Sequence, residues 1–102
     1  PVLAIDDREE YAQQLRDAGA DNVLCLPFEQ ALKQVPGSAE TYFIVVTRAH
    51  AFDVICLEQI LRKPAAYVGM MGSRGRSALV RRQLLEKGLE EKRVYALYAA
   101  LL

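Results

Sequence analysis

Four short apolar runs alternate with four segments of helical spacing, and the connections between them are brief. The runs are residues 2–5, 22–26, 42–46 and 65–71. They lack the polar alternation of a half-exposed strand, which suits strands buried on both faces. Between them, Tyr11, Leu15 and Ala18 recur at helical spacing within 8–18. Phe28, Ala31, Leu32 and Val35 do the same within 27–35. Val54, Ile55, Leu57, Ile60 and Leu61 form a wide stripe within 51–62, and a further helix is predicted over 76–87. Gly19, Pro36-Gly37-Ser38, Lys63-Pro64 and Gly88 stand where these helices should end. Strand and helix in strict alternation predict an α/β chain, with a parallel sheet covered by helices on both faces. Residues 94–102 are apolar throughout and read equally as a strand, a helix or a segment that needs a partner.

At 102 residues the chain is one domain, 1–102, or a piece of one. It begins at Pro1, already inside an apolar run and without an initiator methionine, so we expect a fragment of a longer chain. The formal net charge is zero, which gives no general attraction to nucleic acid or to a membrane surface. No apolar run approaches the roughly 20 residues that span a bilayer. With no signal-peptide pattern, the cytoplasm is the expected compartment. Cys25 and Cys56 lie far apart in apolar surroundings and read as buried thiols.

In an open parallel sheet, ligands bind beyond the carboxyl ends of the strands. Three of the four strand ends carry polar or glycine-rich residues, and the fold should bring them to one edge. The first is Asp6-Asp7. Asp6 stands where a dinucleotide-binding unit places its ribose-binding acid, or else it caps the next helix. The third carries Thr47, Arg48, His50 and Asp53. Thr47, His50 and Asp53 are three residues apart, so one helical turn aligns them, and Asp53 can orient the imidazole. His50 is the only histidine and stands as either a structural hydrogen-bonding residue or a ligand contact. The fourth is Gly72-Ser73-Arg74-Gly75-Arg76-Ser77, a turn from a strand into a helix. It reads either as an anion site built on helix N–H groups and two arginines, or as a serine-capped turn with solvated arginines. A second histidine and a Cys-x-x-Cys are both missing, so no complete metal site is expected.

The segments Ile5-Asp6-Asp7-Arg8-Glu9, Val45-Val46-Thr47-Arg48-Ala49-His50-Ala51-Phe52-Asp53 and Pro64-Ala65-Ala66-Tyr67-Val68-Gly69-Met70-Met71-Gly72-Ser73-Arg74, taken together, resemble the C-terminal Rossmann-like domain of the XdhC/CoxI family. These are xanthine dehydrogenase accessory proteins. The resemblance runs from about Pro1 to about Ala96. It implies a Rossmann-like three-layer parallel sheet that lacks its first β-α unit, because the family's Gly-x-Gly-His turn is not present. In that order the missing strand lies between residues 2–5 and 42–46. The gap is then filled by a lost N-terminal segment, by a second chain or by a rearranged sheet. The resemblance also implies a chaperone that binds molybdenum cofactor (molybdopterin) or a nucleotide and assists its insertion into molybdenum hydroxylases, with no catalytic residues. On that reading Asp6, Thr47, His50, Asp53, Gly72, Ser73 and Arg74 bind the cofactor, with Asp6 on a ribose. The implied partners are an apo molybdenum hydroxylase, a cysteine desulfurase and further copies of the chain. The alternative is a truncated NAD(P)-binding domain of an oxidoreductase, with His50 as acid or base.

Overall fold

The computed structural model describes residues 1–100. Its elements in chain order are β1 (Leu3–Ile5), α1 (Glu9–Asp17), β2 (Asn22–Leu24), α2 (Phe28–Lys33), β3 (Tyr42–Val45), α3 (His50–Ile60), β4 (Tyr67–Met71), α4 (Arg74–Glu86), α5 (Glu91–Tyr95) and β5 (Tyr98–Ala100). The fold is α/β and Rossmann-like, with every strand pair parallel. The strands fall in two sheets, β1-β2 and β3-β4-β5. Direct pairing of the first strand with the third, which a rearranged sheet would need, is not among the strand pairs of the described residues. The chain divides into two compact units, Pro1–Val35 and Pro36–Leu102.

In the first unit, β1 and β2 pair in the register Leu3 with Asn22 and Ile5 with Leu24. Ala12, Phe28, Ala31 and Leu32 are buried there. Gly19 follows α1 with φ at 101°, a left-handed conformation that glycine adopts without a Cβ penalty. Helix α2 starts behind Pro27, whose missing N–H costs nothing at a helix start.

The second unit carries the larger core. Phe43 and Val45 point inward from β3, while Tyr42 and Ile44 alternate outward. Val54, Leu57, Ile60 and Leu61 are buried along α3, as its apolar stripe predicts. Ile55, from the same stripe, stays exposed, because the stripe is wider than the face α3 presents to the core. Val80 and Leu84 of α4 complete that core. On the other face the rings of Tyr42, Tyr67 and Tyr98 succeed one another across three strands, with centroids 5.6 and 5.9 Å apart. A Cβ on Gly69 would stand 2.7 Å from the Tyr67 ring, so glycine there lets the ring lie along its own strand.

The structure departs from the sequence expectations at several points. The ambiguous tail begins with the end of α5 and continues as β5, with Tyr98 opposite Gly69 and Ala100 opposite Met71. Leu101 and Leu102 lie outside the described residues. Helix α4 starts at Arg74, two residues ahead of the predicted Arg76. The reason is local: Ser73 takes extended backbone angles, and its hydroxyl accepts the Arg76 N–H at 3.1 Å. Among the described residues no helix is long and apolar enough to cross a membrane. Cys25 and Cys56 are both free thiols; Cys56 is buried and Cys25 half-buried.

Candidate functional site

The carboxyl end of the second sheet is organised by a charged group with no solvent exposure. Asp53, in the first turn of α3, is 0% exposed. A carboxylate so placed must have its charge met by donors. Thr47, just past β3, gives its hydroxyl proton to Oδ1 at 2.6 Å. Arg76, in the first turn of α4, gives its Nε–H to Oδ2 at 2.7 Å. The same guanidinium reaches on to Thr47, with Nη2 2.8 Å from the backbone carbonyl and 3.3 Å from Oγ1. A hydroxyl has one proton, and the short contact to a charged acceptor claims it. The Ala49 carbonyl, 2.9 Å from that hydroxyl, is a second acceptor competing for the same proton. One arginine therefore ties the end of β3, the start of α3 and the start of α4 together.

Gly72 makes this possible. A Cβ there would stand 3.2 Å from Cδ of Arg76 and 3.5 Å from Cγ, so the stem of Arg76 lies over the glycine. In the sequence Arg76 stands out only as one of the two arginines of the 72–77 turn, and it is not among the residues that the resemblance assigns to the cofactor. With α4 beginning at Arg74, Arg76 falls three residues after the cap, where its side chain turns back over the end of β4. The available signal was Gly72 itself, a glycine at the strand end four residues before Arg76.

Of the other expected residues in this unit, Ser73 is the N-cap of α4 and is exposed, as is Arg74. His50 is the first residue of α3 and is exposed. Asp53 spends both oxygens on Thr47 and Arg76, so the Thr47–His50–Asp53 spacing yields a threonine–aspartate link with His50 outside it. Arg48 lies over the Phe52 ring, 4.2 Å from its centroid. A shallow groove among Leu61, Pro64, Ala66, Tyr67, Arg93 and Leu97 sits at the opposite, amino end of β4.

Asp6 belongs to the first unit and has its own partner. Its Oδ1 accepts the Arg8 backbone N–H at 2.9 Å and the Arg8 Nε–H at 3.1 Å, and Oδ2 lies 3.3 Å from Nη2. The N-cap of α1 is Arg8, whose own side chain makes no capping bond, so Asp6 shapes the turn ahead of the helix rather than capping it. The Arg8 guanidinium also lies 3.7 Å from the Tyr11 ring centroid. Beside this turn, Arg16 donates to Glu9 at 2.9 Å, and this bond, with a second from the Cys25 thiol, holds the Glu9 carboxyl below its usual range. The bond to Glu9, then burial, pushes the Cys25 thiol up.

Parallel strands that lead into helices whose N-termini sit at the strand ends are the mark of a Rossmann-type domain. The family model of the XdhC Rossmann domain matches residues 1–101, and the chain belongs to that family. No curated protein matches it.

Proposed function

We propose that this chain is the Rossmann-like part of an accessory factor for molybdenum hydroxylases of the xanthine dehydrogenase type. In that role it binds molybdenum cofactor or a nucleotide and assists delivery to the apo-enzyme. Membership of the XdhC Rossmann family over residues 1–101 is the observation that carries this reading. The chain itself supplies binding and orientation, with no catalytic group. Its partners are the apo-hydroxylase, a cysteine desulfurase and, in an oligomer, its own copies. It acts as one Rossmann-like domain, in the cytoplasm.

The first turn of α4 supports a phosphate contact. Helix N-termini leave N–H groups without intrahelical partners, and α4 is 13 residues long. Ser73 satisfies the N–H of Arg76, which leaves those of Arg74 and Gly75 toward solvent. Open space surrounds the position of a Cβ on Gly75, so an anion can approach the backbone there. Arg74, exposed at the same turn, adds charge, and His50 and Thr47 stand at the neighbouring strand end. Among the described residues no group of three or more His, Cys, Asp or Glu is placed to hold a metal ion. The proposed contacts are therefore to the phosphate end of the cofactor, whose metal chemistry is its own. The Rossmann-like fold also favours a second reading, NAD(P) or another nucleotide. There Asp6 would have to exchange its bonds to Arg8 for a ribose diol.

Calorimetric titration of the intact protein with molybdenum cofactor and with NAD tests this. We expect heat with the cofactor, weakened about tenfold by Arg74→Ala through loss of one charge-assisted contact. Binding of NAD alone overturns the delivery reading.

A further inference from the structure

We infer that Arg76 is the positioning residue of this strand-end rim: it fixes the turn after β3 against the first turn of α4, and the affinity of the rim depends on that frame. The inference rests on the phosphate-binding reading given above. Three observations support it. Arg76 spans two segments that are 29 residues apart, through Nη2 to the Thr47 carbonyl. Its Nε bond goes to a carboxylate with no exposure, so the guanidinium is held at a set place and orientation. Its stem crosses Gly72, the residue immediately before the Ser73 cap. Moving Thr47 or Asp53 therefore moves the turn that carries the N–H groups of Arg74 and Gly75.

A lysine at this position keeps the charge but has no planar fork, so it cannot hold Asp53 and Thr47 in the fixed geometry that the guanidinium imposes. Thr47→Val removes the hydroxyl at nearly constant shape, and Thr47→Ser keeps it. If Arg76 acts only as a local positive charge, Arg76→Lys should bind as the natural protein does. If it positions the rim, both Arg76→Lys and Thr47→Val should lose affinity while Thr47→Ser keeps it.

The test is calorimetric titration of the intact protein with inorganic pyrophosphate, joined to backbone amide NMR of each variant. We expect Arg76→Lys and Thr47→Val each to bind about tenfold more weakly, and Thr47→Ser to stay within about twofold of the natural protein. Arg76→Lys should also shift the amides of Thr47 to His50 and of Ser73 to Gly75 together. Affinity in Arg76→Lys equal to the natural protein overturns the inference, as does a Thr47→Ser loss equal to that of Thr47→Val. If the natural protein does not bind pyrophosphate, the phosphate reading fails and the NMR arm decides alone. Amides near Thr47 that move in Arg76→Lys then support the frame, and unmoved ones reject it.

Discussion

At the scale of single residues, neighbouring groups change which proton-bearing form is stable. Glu9 accepts from Arg16, and then from the Cys25 thiol, so its carboxyl is held below the ordinary range. A depressed carboxyl adds stability above its unfolded value, and that contribution disappears as pH falls through the folded value. Cys25 moves the other way, raised first by its bond to Glu9 and then by burial. A raised thiol adds stability below the ordinary thiol value and loses it as pH rises through the folded one. Both effects meet in one substitution. Glu9→Gln removes the negative charge that opposes the thiolate, so the Cys25 value should fall back toward that of a free thiol. Alkylation by iodoacetamide at pH 8, followed at Cys25 by mass spectrometry, should then run about threefold faster or more, because the thiolate is the reacting form. An unchanged rate would mean that Glu9 does not govern this thiol. Cys56, buried in α3, serves as the slow internal reference.

At the scale of elements, the start of α4 shows how two residues of displacement change the reading of a site. Gly72 to Ser77 resembles a long turn, because two glycines and two serines depress helix propensity across it. The Ser73 cap offsets that cost by accepting the Arg76 N–H, and the helix begins earlier. Ser73→Ala should lower stability by about 1 kcal/mol, read as a reduced denaturant midpoint at constant slope. Ser73→Asp should keep most of it, since a carboxylate also caps and suits the helix N-terminus. A Ser73→Ala protein with the natural midpoint would place the start of α4 elsewhere. Most other elements were legible, since a 3.6-residue stripe marks a helix and a short apolar run bounded by turn residues marks a strand. Thr47 and Asp53 were legible as spacing, but the partner of Asp53 was not. Nothing in a period marks Arg76, 23 residues further on, as the donor to Oδ2. The end of the chain was illegible for the opposite reason: 94–102 is apolar throughout, so it has no period, and only pairing with β4 makes 98–100 a strand.

For the molecule as a whole, the notable surface is an apolar one on the second unit. Tyr42 is 70% exposed, Ile44 58% and Val46 64%, all along β3 and just past it. Tyr98 is also exposed, and the tyrosine stack joins it to Tyr42 across the sheet. Strand β3 is hydrogen-bonded on one side, to β4, and among the described residues its other edge has no strand partner. An apolar strand with an open edge is a template for pairing with another chain. Formal neutrality adds to this tendency, because no net charge keeps copies apart. Self-association of this chain should therefore depend on β3 and respond to a single charge placed there. Ile44→Lys puts an ammonium on the exposed row, where edge strands of natural sheets commonly carry lysine. Because Ile44 already faces solvent, the unfolding free energy should stay within about 0.5 kcal/mol of the natural protein. Sedimentation velocity over a concentration series should show the weight-average mass of Ile44→Lys staying near that of one chain while the natural protein rises. Val54→Lys is the contrasting change: Val54 is buried in α3, and a charge there should unfold the unit instead of dispersing it. Equal association of Ile44→Lys and the natural protein would move the sticky surface away from β3, and the exposed row would then be an ordinary solvated face.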